Sequence, residues 1–220
     1  MTDQVDFVIA APPVPLKEKE IQLWLYRITE REDKNAASER FDSAWRTLLA
    51  CYCGRKLEQP TLIWGAHGKP ALASRELEFN VSHSDDALVI GLSRDIELGI
   101  DIEFLPKERS TLALAKRFFT EREWRSLIAL PRDQQTLAFL RLWTAKEAVL
   151  KAIGRGLAFG LDRVEFSVNS KLMPELSYVA DEAQSAKDWQ IRSFLFEKHW
   201  CGALAWRGAD VRLNAYRLTI

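Results

Sequence analysis

Several groups of polar residues in this 220-residue chain have the types and spacing for chemistry. In GIDIE (residues 99–103), Asp101 and Glu103 lie two positions apart. On a strand, that spacing puts Gly99, Asp101 and Glu103 on one face and Ile100 and Ile102 on the other. Carboxylates one pleat apart repel each other unless a cation lies between them. Oxygen-only donors suit Mg²⁺ or Mn²⁺, with water and a substrate phosphate completing the shell. An amphipathic strand with a wet face accounts for the same pattern.

In WTAKEAVLKAIGRGL (143–157), Glu147 and Lys151 stand one helical turn apart among Trp, Leu, Val, Ile and Ala. A solvated pair at this spacing is worth only ~0.3–0.5 kcal/mol. At ~100° per residue, however, Ala138, Leu142, Ala145, Val149 and Ala152 form one apolar stripe, while Glu147 falls opposite it beside Leu140, Trp143 and Leu150. A helix packed on both sides takes Glu147 out of water, and the carboxylate then needs Lys151 or a metal as partner. The wheel leaves both readings open.

FNVSHS (79–84) reads as a strand ending in Ser82, His83 and Ser84. The group could bind phosphate, but neighbours on a strand point to opposite faces, which argues against a proton relay between Ser82 and His83. A histidine satisfied within a turn is the alternative. Thr120 to Glu123 fits a capping box, a structural role sufficient for Glu123. Lys69 in GKP suits a solvated turn or a phosphate contact. Gly154, just past a helix, reads as a C-cap and not as part of a dinucleotide fingerprint.

The elements that must hold these residues follow from periodicity. IQLWLYRI (21–28) reads as a strand, and a helix capped by Ser38 runs to near Gly54. Short strands follow at 61–64, 77–82, 87–93 and 97–104, then helical patterning from Thr111 to Gly154, then strands at 163–168, 189–196, 200–207 and 211–220. This order predicts an α+β fold with mostly antiparallel pairing, divided near FLPKERS (104–110) into parts 1–105 and 106–220.

Lys+Arg and Asp+Glu number 31 each, so the net charge is zero, which argues against a protein that coats nucleic acid or an acidic membrane. The three cysteines lack metal-ligand spacing and read as free thiols. No signal-peptide pattern or bilayer-length apolar run occurs, so a cytoplasmic protein with no membrane segment is expected.

FNVSHS, GIDIE, RFFTEREW and WTAKEAVLKAIGRGL, in this order, resemble the motifs of the 4′-phosphopantetheinyl transferases. The resemblance is to the monomeric surfactin-synthetase-activating type in particular. The last motif matches W-[ST]-x-K-E-A-x-x-K-x-x-G-x-G-L at every fixed position. The resemblance implies two similar α+β lobes related by a pseudo-two-fold axis, each a small antiparallel sheet packed with helices. It implies Mg²⁺, with Mn²⁺ as the alternative, held by Asp101, Glu103 and Glu147, and Lys151 at the phosphates. Coenzyme A is implied as co-substrate, contacted by Ser82 and His83 at its phosphates. Arg46, Thr47 and Lys69 match contacts toward the adenosine end, as do Arg31 and Lys34 by spacing back from Arg46.

The implied activity moves the phosphopantetheine arm from coenzyme A to a serine of an apo acyl, peptidyl or aryl carrier protein. Adenosine 3′,5′-bisphosphate is released, and Glu147 or Glu123 serves as base. Such activation serves fatty-acid, polyketide or nonribosomal-peptide biosynthesis, and the resemblance implies a monomer. A non-catalytic coenzyme A or carrier-protein binding module and a Mg²⁺-dependent phosphohydrolase are the competing readings.

Overall fold

The computed structural model describes residues 4–29, 33–54, 59–105, 111–156, 159–180 and 185–219. Arg31 and Leu157 lie outside these residues, as does most of the expected boundary at 104–110.

A five-stranded sheet has the order β1 (Val8–Ala10), β12 (Arg212–Leu218), β2 (Glu20–Arg27), β6 (Ala87–Ser93), β5 (Glu78–Ser84). A three-stranded sheet has the order β10 (Trp189–Phe196), β11 (Trp200–Arg207), β7 (Leu98–Phe104). Two small hairpins complete the strands, β3 (Leu62–Trp64) with β4 (Pro70–Leu72) and β8 (Val164–Val168) with β9 (Pro174–Val179). Pairing is antiparallel except where β12 lies parallel to both β1 and β2. The helices are α1 (Lys34–Tyr52), α2 (Thr111–Phe118), α3 (Glu121–Ile128) and α4 (Arg132–Ile153). Mixed α+β architecture is as expected.

Three apolar clusters stack the layers. Phe41, Trp45 and Leu48 of α1 pack on Trp24, Phe79 and Ile90 of the five-stranded sheet. On that sheet's other face, Ile21 and Leu23 meet Ile100, Phe194 and Leu204 of the three-stranded sheet. Beyond this, Cys201, Ala203 and Ala205 of β11 pack against Ala138, Leu142, Ala145 and Val149 of α4. The small residues of β11 let the helix sit close to the strand, so α4 is apolar on nearly every side.

Two expectations are corrected. The first helix is capped by Asp33 rather than Ser38. Asp33 accepts from the amides of Asn35 (2.9 Å) and Ala36 (3.0 Å), leaving Ser38 exposed inside the helix. The division at residue 105 cuts through paired strands. β7 from the first part pairs along β11, and β12 from the second part lies between β1 and β2. In each part a hairpin is followed by a strand that joins the other part's sheet.

Candidate active site

β7 and α4 are brought together at Gly99. A Cβ there would lie 2.0 Å from the Ala148 carbonyl oxygen and 2.4 Å from the Ala152 amide, so only glycine allows this contact between strand and helix backbones. Alternation along β7 sends Ile100 and Ile102 into the inter-sheet core. Asp101 and Glu103 are left on the side of Gly99, as the two-residue spacing predicts.

The other flank of β7 is held by β5. Phe79 and Val81 face α1. His83, on the same side, stacks on Phe41 with ring centroids 5.2 Å apart. The intervening Asn80, Ser82 and Ser84 turn toward β7 and accept from the amides of Ile100 (2.9 Å), Ile102 (3.2 Å) and Phe104 (3.0 Å). A polar comb therefore satisfies the outer N–H groups of β7 in place of another strand. Each bond is worth about 1 kcal/mol net. The comb also touches the carboxylates: Ser82 donates to Asp101 Oδ1 (2.9 Å) and Ser84 to Glu103 Oε2 (3.3 Å). The polar alternation N-x-S-x-S was a readable signal for this comb.

From α4, Lys151 Nζ donates to Asp101 Oδ1 (2.7 Å) and to the Ile100 carbonyl (3.1 Å). Its pairing is thus across to the strand. Asp101 Oδ2 is buried with no hydrogen-bond partner among the described residues. Glu147 is buried, and its carboxyl is pushed up to about 7, first by burial and then by the charge of Asp101, with Lys151 opposing and Glu103 adding to the rise. His83 is held below its usual range by burial and by the nearby Lys151 ammonium, so its imidazole is neutral at pH 7.

Asp101, Glu103, Glu147 and Lys151 therefore share one electrostatic neighbourhood. Among the described residues no three His, Cys, Asp or Glu side chains form a ready-made metal cage. The donor chemistry nevertheless fits a hard divalent cation. The set is all oxygen, one buried oxygen lacks a partner, and mutual repulsion raises a carboxyl's proton affinity.

Glu123 is elsewhere and is corrected. It forms the expected capping box with Thr120 and accepts from the Phe166 amide (2.8 Å). It also pairs with Lys146 (2.7 Å), both side chains being fully buried. Lys146 further donates to the carbonyls of Leu161 (2.9 Å) and Val164. A carboxylate so enclosed and so fully bonded has no access to a substrate hydroxyl, and its role is to join α3, α4 and β8. Lys146, the neighbour of Glu147, carries the other half of this tie, a role that nothing in its local sequence signalled.

Lys69 also makes a structural tie. Its ammonium donates to the carbonyls of Leu98 and Ala152, both at 3.2 Å, joining β7 to the end of α4, and burial lowers its proton affinity. Gly154 caps α4 with φ +75°, as expected. Lys34 begins α1 and is exposed, Thr47 is exposed on the same helix, and Arg46 pairs with Asp42 (2.7 Å) along the Trp45 ring. These three stand in the α1 layer, separated from β7 and α4 by the five-stranded sheet.

Comparison with known proteins bears on this arrangement. Residues 97–205, which include all four clustered side chains, match the family described as the 4′-phosphopantetheinyl transferase superfamily (ACPS). The chain is 31% identical over 211 residues to 4′-phosphopantetheinyl transferase HetI of Nostoc sp., covering 89% of this chain and 86% of that one. The chain belongs to the 4′-phosphopantetheinyl transferase superfamily. Another relative is 4′-phosphopantetheinyl transferase psf-1 of Bacillus pumilus, 34% identical over 168 residues, with 70% of this chain and 71% of that one covered. A crystal structure of a holo-(acyl-carrier-protein) synthase from Bacillus anthracis with CoA (3′,5′-ADP) is a partial likeness. It aligns with TM-score 0.41 and 22% identity, over 52% of this chain and 98% of that one.

Proposed function

We propose that this member of the superfamily transfers the 4′-phosphopantetheine arm of coenzyme A to a serine of an apo carrier protein, using Asp101, Glu103, Glu147 and Lys151. The observation that carries the assignment of residues is the electrostatic coupling of Glu147, on α4, to Asp101 and Glu103 of β7 and to Lys151. The proton affinity of Glu147 is raised there by burial and by its neighbours. Such a site favours a bound cation and a phosphate over water.

A Mg²⁺ ion held by Asp101, Glu103 and Glu147, or Mn²⁺ in its place, would supply Lewis acidity to the pyrophosphate and offset the charge of the departing phosphate. Lys151, fixed by Asp101 and the Ile100 carbonyl, offers a second positive charge beside the same group. Ser82 holds the strand carboxylate in place from the opposite flank. His83, neutral and exposed at its edge, is suited to donate a hydrogen bond to coenzyme A phosphate. Glu147, directly or through a water, is the acceptor of the serine proton in this reading. Arg31, Lys34, Arg46 and Thr47 remain in this reading as contacts to the adenosine end.

The repeated hairpin with its exported strand supports the two-lobed, pseudo-two-fold subtype. A monomer in the cytoplasm belongs to this reading by analogy with that type alone. No described helix is long and apolar enough to cross a membrane.

The test is intact-mass measurement of an apo carrier protein incubated with the protein, coenzyme A and Mg²⁺. A gain of one phosphopantetheine mass that EDTA abolishes is expected. Asp101→Asn and Glu147→Gln should remove turnover while the fold, followed by circular dichroism, persists. Near-normal turnover in either variant would refute the metal assignment. Bound coenzyme A without modification of fatty-acid, polyketide or peptide-synthetase carriers would favour a binding module.

A further inference from the structure

A second cavity, of about 650 Å³, borders β10 on the side away from β11. Its apolar wall includes Leu137 of α4, Met173 and Phe194. Its charged lining residues are Arg141, Lys171 and Arg192, and none of its lining residues is acidic. Cavities of roughly 300–1,000 Å³ lined by apolar groups and a few converging polar ones are typical small-molecule sites.

Two polar groups at this wall are almost wholly enclosed. Arg141 is 4% exposed, and its Nη1 donates to the carbonyls of Lys171 (2.9 Å) and Leu172 (3.3 Å), which fixes the guanidinium at the cavity. Ser193 is also 4% exposed, and its buried hydroxyl has no hydrogen-bond partner among the described residues. A buried hydroxyl left unbonded is costly, and a ligand oxygen would supply the missing partner. Lys171 and Arg192 stand toward solvent, with Arg192 offset by Asp210 at 3.6 Å, so the net positive charge at the cavity comes from Arg141 and Lys171.

We propose that this cavity binds an amphipathic organic anion, with its apolar body against Leu137, Met173 and Phe194 and its oxyanion head toward Arg141 and Ser193. Leu137 and Arg141 lie on the helix that carries Glu147, about 9–15 Å from it along the axis at ~1.5 Å per residue. The occupant would touch α4 without entering the carboxylate cluster.

Fluorescence titration of the full chain with 1-anilinonaphthalene-8-sulfonate, followed by displacement with octanoate, tests this. Saturable binding at one site per chain is expected, with displacement by octanoate and none by octanol at equal concentration. The double reversal Lys171→Glu/Arg192→Glu, at exposed positions, should weaken binding about tenfold or more with the melting temperature unchanged. Leu137→Trp, which fills the cavity, should abolish it. The proposal is overturned if no saturable site is found, if octanol displaces the probe as well as octanoate, or if the double reversal leaves affinity unchanged. Displacement of the probe by coenzyme A would place it in the active site and overturn this proposal, while leaving the transferase reading intact.

Discussion

At the scale of single residues, the clustered carboxyls of the proposed site trade stability for chemistry. Glu147 titrates near 7 in the folded chain, against an ordinary value of 4.5. Between these values the folded state holds a proton that the unfolded state has released, so stability falls as pH rises and the deficit is fully present above 7. Glu147→Gln should therefore stabilise the metal-free protein by about 2–3 kcal/mol at pH 8 and by almost nothing at pH 4. Urea unfolding in EDTA at the two pH values measures this, and an equal gain at both would show that charge is not the cause. Gly99 gives the opposite case. Gly99→Ala drives a methyl into the backbone of α4 and should cost about 3 kcal/mol or more, beyond ordinary overpacking, with turnover lost alongside stability. The pairing of Asp101 with Glu103 was legible because strand alternation is a local rule. The depth of Glu147 was not, because a helical wheel records direction and not what packs there.

At the scale of elements, the C-terminal half of α4 is anchored by polar ties at both flanks. Lys146 and Glu123 form a fully buried pair, and removing one member strands the other charge without water. Lys146→Met should cost about 3–5 kcal/mol, whereas Lys146→Met combined with Glu123→Gln should cost clearly less than the two single changes summed. A double-mutant cycle by chemical unfolding reads the coupling, and additivity would show that the pair is not a unit. The capping box at Thr120 was visible in four consecutive residues, yet the same glutamate's bond to Phe166, in β8, was invisible because those partners lie 43 positions apart. Strand positions for β2, β5, β6, β7, β10 and β11 followed from alternation and turn residues. The short β1, β4 and β9 did not, since each is too brief or too exposed to show a period.

At the scale of the whole molecule, the exchange of β7 and β12 between the sheets makes the two parts interdependent. Separate fragments 1–105 and 106–220 should each be largely unfolded by circular dichroism and amide exchange, and mixing them should restore structure. A fragment that folded cooperatively alone would contradict this. The class of fold was legible from element order, but the parallel insertion of β12 was not, because strand partners nearly 200 positions apart leave no mark on local pattern.

That insertion also bears on how the chain is made. Residues 212–218 close the first sheet, yet they leave the ribosome after everything they pair with. The early strands must wait, open-edged, until β12 has been made. A prematurely stopped chain would then lack the closing strand and expose its apolar edge to chaperones and proteases. The order of the strands thus ties closure of the first sheet to the arrival of β12, and a chain without it would stay open to quality control.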